Sequence, residues 1–270
     1  SIQPINGSTF DSGAVIKFNI PAGRKGTYLD TSQSYLKFKA TNTTNVAVNP
    51  ATGVWGFIQR LDIYSGSNLL ESINEYGRLH QALYDMGMNV NDKATAGMFE
   101  GADVNTFNAS ETSALTSLDN PNRIGKELSA KDANNYDQET YYIPIISGVI
   151  GQLADKYIPL GEMSADLRVE VYLYKANIAL YSASTAPTYT IGNFTYEAQI
   201  VEVDGSVQSE IDQATLGYYR IHATSWAQYN STVSSGDGSK SFLIPARFAS
   251  LKNLLVVQQK QSISNGETST

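Results

Sequence analysis

The sequence predicts an all-β protein, an antiparallel jelly-roll β-sandwich with one main helix and a long loop excursion. Three observations favour this fold class. Strand signals recur in eight or more segments, only one long segment has helical periodicity, and strands do not alternate with helices as in a parallel sheet. The composition agrees, because 17% charged residues and 17 tyrosines suit pleated, half-buried surfaces rather than a helix-rich enzyme.

Three strand regions precede the helix. The segment AVIKFNI alternates apolar and polar residues and stops at Pro21, and SYLKFKATN alternates again with Leu36 and Phe38 on one side. Between them, PAGRKG is predicted to be a loop and Tyr28–Asp30 a turn. A third strand region, VWGFIQRLDIYSG, ends in a turn.

The segment NLLESINEYGRLHQALYDMG is the main predicted helix. Its apolar stripe comprises Leu69, Ile73, Tyr76, Leu79, His80 and Leu83. Glu71, Glu75 and Arg78 lie off that stripe, and Gly87 is the expected stop. The first residues of this segment could equally continue the strand pairing.

Residues 89–137 are polar, rich in small residues and poorly periodic. Such a long stretch inside a domain normally marks an exposed functional excursion, so the sequence predicts one here. We assign residues 1–245 to a jelly-roll domain that contains this excursion.

Strand signals resume in the second half, in ETYYIPIISG, KYIPLGEM, NIALYSA and TYTIGNFTYEAQIVEVD. The strand Asp166–Tyr174 should bury Leu167, Val169, Val171 and Leu173 and point Arg168, Glu170, Tyr172 and Tyr174 outward. A short helix with Ser206 as its cap is expected in SVQSEIDQATLG. The segments YYRIHATSWAQYNSTV and SFLIPARFASLKNLLVVQQ are strand-like.

Candidate chemistry is sparse. Neither histidine has metal-site spacing: His80 lies on the apolar side of the helix, and His222 lies in a strand-like segment. Glu170, Glu197 and Glu202 are strand carboxylates that could form a glycosidase pair, although a lone strand glutamate is usually a solvated charge. The chain has no cysteine, phosphate loop or nucleophile elbow. We therefore assign no catalytic, cofactor-binding or metal residue, and no cofactor.

The charge pattern limits the partners. A net charge of −7 leaves no basic footprint, which argues against sequence-specific binding of nucleic acid. No apolar run approaches the ~20 residues of a membrane span, while contact with an internal membrane is left open.

The order of segments, rather than any single motif, carries a resemblance. FDSGAVIKFNIPAGRKGTYLDTSQSYLKFKATN is followed by FIQRLDIYSGSNLLESINEYGRLHQALYDM, then by YYIPIISGVIGQLADKYIPLGEMSADLRVEVYL and SFLIPARFASLKNLLVVQQ. This series resembles the double jelly-roll major capsid proteins, especially those of virophages and polinton-like viruses in the lineage that includes PRD1 and adenovirus. The resemblance covers nearly the whole chain and involves structural segments only.

The resemblance implies a structural protein of the virion rather than an enzyme. It implies homotrimeric, pseudo-hexameric capsomers in an icosahedral capsid, with penton or minor capsid proteins as further partners. It also implies that residues 1–245 are the N-terminal roll and that residues 246–270 are a connector or the start of a second roll. Family members are usually longer, so the chain is expected to be a cleaved or partial product, or else a compact pair of rolls.

Two other function classes compete with the hypothesis that the chain is a capsid subunit. A carbohydrate- or receptor-binding β-sandwich is the alternative, because exposed Tyr, Asn and Trp side chains suit sugar stacking. An enzyme ranks third, and would need converging carboxylates among Glu170, Glu197 and Glu202.

Overall fold

Antiparallel strands dominate the computed structural model, which describes residues 1–50, 53–87, 100, 128, 138–182, 186–234 and 239–257. In chain order the strands are β1 (Thr9–Asp11), β2 (Val15–Ile20), β3 (Thr27–Asn42), β4 (Val48–Pro50), β5 (Ile58–Ser65), β6 (Asn68–Asn74), β7 (Gln138–Pro144), β8 (Ile158–Pro159), β9 (Leu167–Leu173), β10 (Leu180–Ser182) and β11 (Tyr189–Glu202).

The helices are few and short within the described part of the chain. They are α1 (Tyr76–Gly87), the single turn α2 (Ala176–Ala179) and α3 (Gly205–Thr215), with 3-10 turns at Val54–Phe57 and Leu160–Glu162. Helix α1 packs closely on the first 3-10 turn, because a Cβ on Gly77 would lie 2.5 Å from the Trp55 carbonyl oxygen. Only glycine fits at that contact.

The strand pairing is that of a jelly roll. The pairs are nested along the chain: β1 with β11, β2 with β9, β3 with β7 and β5 with β6, all antiparallel. Contacts of β3 with β11 and of β5 with β9 join the pairs into two sheets, β1-β11-β3-β7 and β2-β9-β5-β6. A long hairpin wrapped into two facing sheets produces this order, which is the double Greek key of a jelly roll. The predicted fold class is therefore confirmed.

The core lies between the inner faces of the two sheets. Aromatic rings cross that gap: Phe18 of β2 lies 5.5 Å from Tyr196 of β11, and Phe38 of β3 lies 6.4 Å from Phe57, all between ring centroids. Offset and edge-on rings at these distances add to the free energy gained by burying apolar surface.

The predicted strand at Asp166–Tyr174 is confirmed as β9, and its four inward residues are buried. The exposed fractions are 1% for Leu167, 0% for Val169 and Val171, and 3% for Leu173. Tyr174, however, was expected to point outward and is buried, because its hydroxyl donates to Glu75 at the start of α1.

The structure differs from the sequence predictions at the turn Tyr28–Asp30 and at the start of the main helix. Tyr28–Asp30 is not a turn but the start of β3, where Tyr28 and Leu29 pair with β8 and with Val201 and Ile200 of β11. The first seven residues of the predicted helix form β6, a hairpin with β5. This is the strand alternative left open by the sequence; the helix begins after it, at Tyr76.

Three local boundaries also differ from the sequence expectation. Val54–Phe57 is a 3-10 turn rather than strand, and follows Gly53 at φ 84°. Ala176–Ala179 is helical, and the strand begins only at Leu180. Asp204 caps α3 by accepting from the Ser206 amide at 2.9 Å, so the cap lies two residues before the predicted one.

The strand-like segments after α3 contain no strand in the described ranges 216–234 and 239–257. Their backbone pairs with no edge strand of the two sheets, and most of their side chains are exposed. The named strands of the described residues thus lie between Thr9 and Glu202. The boundary at residue 245 stays a prediction.

The excursion at residues 89–137 lies outside the described residues except at Glu100 and Leu128. Leu128 is fully buried and forms an isolated antiparallel bridge to Val48 of β4. Burial raises the pKa of the Glu100 carboxyl to about 7.

Candidate functional site

The three strand carboxylates do not converge. Glu170 lies on β9 of the four-stranded sheet, whereas Glu197 and Glu202 lie on β11 of the other sheet, across the core. Glu197 lies 3.9 Å from the N-terminal ammonium group and Glu202 lies 3.6 Å from Arg24. A glycosidase pair requires two carboxyl groups on either side of one bond, so Glu170 does not form such a pair with Glu197 or Glu202.

The two histidines also lie apart. His80 is buried in α1, where its ring stacks on Trp55 with 4.4 Å between centroids and 10° between planes. His222 is exposed in the segment after α3. Among the described residues no group of three or more histidines and carboxylates has metal-site geometry.

The His80 ring gives a pH prediction. Desolvation lowers its pKa from 6.5 to about 4 and outweighs the backbone carbonyls of His80 and Pro144, which act in the opposite direction. The unfolded chain therefore binds a proton at pH values where the fold does not, and stability should fall as pH drops from about 6.5 to about 4. Over this range the free energy of unfolding should fall by about 3 kcal/mol, because one pKa unit corresponds to about 1.36 kcal/mol.

Urea unfolding at pH 7 and pH 4 checks this expectation. His80→Phe, which keeps an aromatic ring against Trp55, should lose less stability than the parent between these pH values. His222→Phe is the matched control and should behave as the parent does. Equal acid sensitivity of the parent and His80→Phe would contradict the role given to His80.

The most organised polar surface is on the outer face of the four-stranded sheet. We call it the polar plate and define it by seven side chains: Lys17, Arg60, Asp62, Tyr64, Arg168, Glu170 and Tyr172. Strand register sets Lys17 opposite Glu170 and Glu170 opposite Asp62, so that these three side chains form one row across β2, β9 and β5. Alternation along each strand places all seven outward.

Ion pairs hold the carboxylates of the polar plate. Glu170 lies 3.3 Å from Lys17 Nζ and 3.3 Å from Arg168 Nε, and it accepts from the Tyr172 hydroxyl at 2.8 Å. Asp62 lies 3.1 Å from Arg60 Nε and accepts from Ser72 at 2.7 Å. Burial opposes ionisation of Glu170, but the hydrogen bonds from Tyr172 and Lys17 prevail and place its pKa below the ordinary value.

The predicted solvation of Glu170 is therefore wrong. The side chain points outward as expected, yet the residue is only 6% exposed because longer neighbours cover it. Arg60 stacks over the Tyr172 ring at 3.8 Å and Arg168 over Tyr64 at 4.4 Å. Cation–π contacts of this kind fix the guanidinium groups in one orientation.

Some polar atoms on this face have no hydrogen-bond partner. They are Arg60 Nε, Arg168 Nε and Asn19 Oδ1, all shielded from solvent. Both guanidinium nitrogens lie within ion-pair distance of a carboxylate but out of line for a hydrogen bond.

A second organised region is the loop 145–153, which follows β7. Glu71 was expected to face solvent and is 4% exposed; it accepts from the Ser147 hydroxyl and, at 3.1 Å, from the Gly148 amide. The Tyr76 hydroxyl accepts from the Ile146 amide at 2.8 Å. The backbone of Thr224 crosses this loop so closely that a Cβ on Gly148 would lie 2.4 Å from the Thr224 carbonyl oxygen.

The chain after α3 exposes much apolar surface. Its large hydrophobic residues that are at least a third exposed are Leu216, Tyr218, Ile221, Tyr229, Val233, Phe242, Leu243, Ile244, Phe248, Leu251, Leu254, Val256 and Val257. Large exposed apolar surfaces are uncommon on monomeric soluble proteins and are typical of interaction sites.

Strand alternation in the sequence identifies which residues of the polar plate point outward. It does not show that Lys17, Glu170 and Asp62 lie in one row across three strands. The row depends on which strands are neighbours and in what register, and distant segments set both. The buried role of Glu71 was missed because its segment was assigned to a helix, in which Glu71 lies off the apolar stripe.

Among the described residues no helix is both long and apolar enough to span a membrane.

No protein-family model and no curated protein matches the chain. The solved structures similar to it include the crystal structure of PBCV-1 VP54 fitted into a cryo-EM reconstruction of the virophage Sputnik, and a quasi-atomic model of the PBCV-1 virus capsid. The first has a TM-score of 0.48 and 16% identity, and the second 0.46 and 15%. Each alignment covers 78% of this chain and 43% of the other, so the chain spans less than half the length of these structures.

Proposed function

We propose that the chain is a structural subunit of an icosahedral viral capsid and acts in the virion without catalysis. The observation that carries the proposal is a jelly roll with thirteen large apolar residues exposed after α3. Jelly rolls serve as capsid, lectin and cupin domains. Exposed apolar surface on this scale fits a capsid domain, because the subunits of a shell bury such surface against each other.

The partners in this proposal are copies of the chain, arranged as homotrimeric capsomers of pseudo-hexameric outline, together with penton or minor capsid proteins. Residues 246–270 are proposed to be a connector or the start of a second roll. The described part, residues 246–257, supports this, since its apolar side chains are exposed and would pack in such a roll.

The alternative is a carbohydrate- or receptor-binding sandwich. The plate tyrosines Tyr64 and Tyr172 already carry stacked arginines, and Trp55 is fully buried, so none of these three rings offers a free face to a sugar. The exposed rings of Tyr157, Tyr218 and Tyr229 keep the alternative testable. A glycan array with the purified chain distinguishes the two functions: specific binding by a monomer favours the alternative, and concentration-dependent assembly without binding favours a shell subunit.

The loop excursion gives an assembly prediction. Its sequence is long and polar and has few apolar anchors, so we propose that it contacts neighbouring subunits. Deleting Ala94–Ser117 should leave the sandwich folded, because the eight nested strands lie outside the deletion.

Size-exclusion chromatography with light scattering checks this prediction. The deletion variant should assemble less than the parent at equal concentration. A Gly/Ser linker of the same length in place of Ala94–Ser117 is the control that separates loss of these side chains from shortening of the loop. If the deletion variant assembles as the parent does, the assembly surface lies on the sandwich instead.

A further inference from the structure

We propose that the polar plate of one copy packs against the acidic junction between β11 and α3 of a second copy. The inference rests on the proposed function and names the two faces that would form the contact. Glu202, Asp204 and Glu210 define the acidic junction, and all three are exposed.

Charge favours this pairing. The polar plate carries three cations against two carboxylates in a chain whose net charge is −7. The acidic junction carries three carboxylates, with Arg24 lying 3.6 Å from Glu202. Nearby Asp212 and Lys25 lie 2.7 Å apart, and this pair adds no net charge to the junction. Complementary potentials of this kind select partners and orient the encounter.

The composition of both faces suits a protein contact. Arginine and tyrosine are the residue types enriched at interface hot spots, and the plate arginines are held by stacking before any partner arrives. Little side-chain entropy is therefore lost on binding. The acidic junction is flanked by Ile200 and Val207, which are 45% and 44% exposed. Such apolar residues would be buried beside the charges.

The cations of the plate also remain accessible to a partner. Each lies within ion-pair distance of a plate carboxylate, yet the side chains are 42% exposed for Lys17, 36% for Arg60 and 40% for Arg168. Their outer N–H groups can therefore donate to carboxylates of a second copy.

The two faces belong to different sheets, so the contact is heterologous. Repeated around an axis, a heterologous contact closes into a ring or continues as a filament. A closed ring of three copies gives the proposed trimer, with each copy contributing one plate and one junction.

A charge-swap cycle measured by sedimentation velocity tests the pairing on the 270-residue chain. The variants are Lys17→Glu, Glu210→Lys and both together. Each single variant should weaken association at least about tenfold, and the double variant should recover most of it. Association of the parent should weaken between ~0.05 M and ~0.5 M salt, because the screening length shortens.

The matched control is Lys39→Glu, which makes the same charge change on the outer face of β3 in the other sheet. It should change association less than about twofold. Lys17→Gln is a milder variant that avoids repulsion with Glu170, and melting temperatures confirm that each variant is folded. Lys17→Gln should also weaken association, by less than Lys17→Glu does.

The outcomes separate this inference from the proposed function. If the parent assembles but Lys17→Glu and Lys17→Gln assemble equally well, the plate assignment is overturned and the shell role stands. If the single variants weaken association and the double variant does not recover, the plate is a contact but the acidic junction is not its partner, which overturns the pairing. A parent that remains monomeric at all concentrations overturns both.

Discussion

Val171→Asp should unfold the roll or cost at least about 4 kcal/mol of its stability. Val171 is fully buried at the centre of β9, opposite Ile16 of β2 and Leu61 of β5. An aspartate there would place a carboxylate between the two sheets, directly beside the apolar side chains of Ile16 and Leu61. The sheet cannot turn the side chain outward without a one-residue slip, which would bury Arg168, Glu170 and Tyr172 instead.

The matched control is Val15→Asp, which places the same substitution on the half-buried outer side of β2. Its carboxylate can reach water, so the loss should be small. Thermal and urea unfolding measure both variants. A soluble Val171→Asp variant with the melting temperature of the parent would contradict the register of β9.

Glu71→Ala should cost about 3 kcal/mol, although Glu71 lies at the sheet edge. Its carboxylate accepts from the Ser147 hydroxyl and the Gly148 amide, and Ser147 Oγ in turn accepts from the amides of Val149 and Ile150 at 3.0 and 3.1 Å. Removing the carboxylate leaves buried donors without an acceptor. The loop also carries Ile145 and Ile150, which are fully buried, so its loosening would reach the core.

Glu71→Gln is the control, because its amide oxygen can still accept one of the two hydrogen bonds, so the loss should be smaller. Hydrogen exchange of the loop amides reports the local effect. Faster exchange at Gly148 and Ile150 in Glu71→Ala, with less change in Glu71→Gln, is the expected result. Unchanged exchange and stability in Glu71→Ala would show that the loop is held by packing alone.

Local patterns in the sequence were sufficient for the fold class. Alternation at Leu167–Leu173 and at Val15–Ile20 predicted both the strands and their buried faces, because one side of each strand meets the core. The sequence predicted the main helix but placed its start at Asn68, whereas the helix begins at Tyr76. The stripe from Leu69 to Leu83 spans a strand and a helix, and the hairpin with β5 decides where one ends.

The functional surfaces were predicted less well, for a physical reason. The row from Lys17 through Glu170 to Asp62 joins three strands that are far apart in sequence, so no local pattern contains it. The strand-like segments after α3 have the right residues for strands. Whether such a segment becomes a strand depends on pairing with a neighbouring edge, and residues 216–234 and 239–257 pair with none of the edge strands β1, β2, β6 and β7.

The central claim is that the chain is a building block that assembles with copies of itself. Native mass spectrometry of assemblies formed by the purified chain tests it most directly, because it counts copies and detects any additional bound chain. The account predicts a dominant species of three copies, about three times 29.4 kDa, together with larger assemblies at higher concentration. A single species of 29.4 kDa at every concentration would contradict the claim.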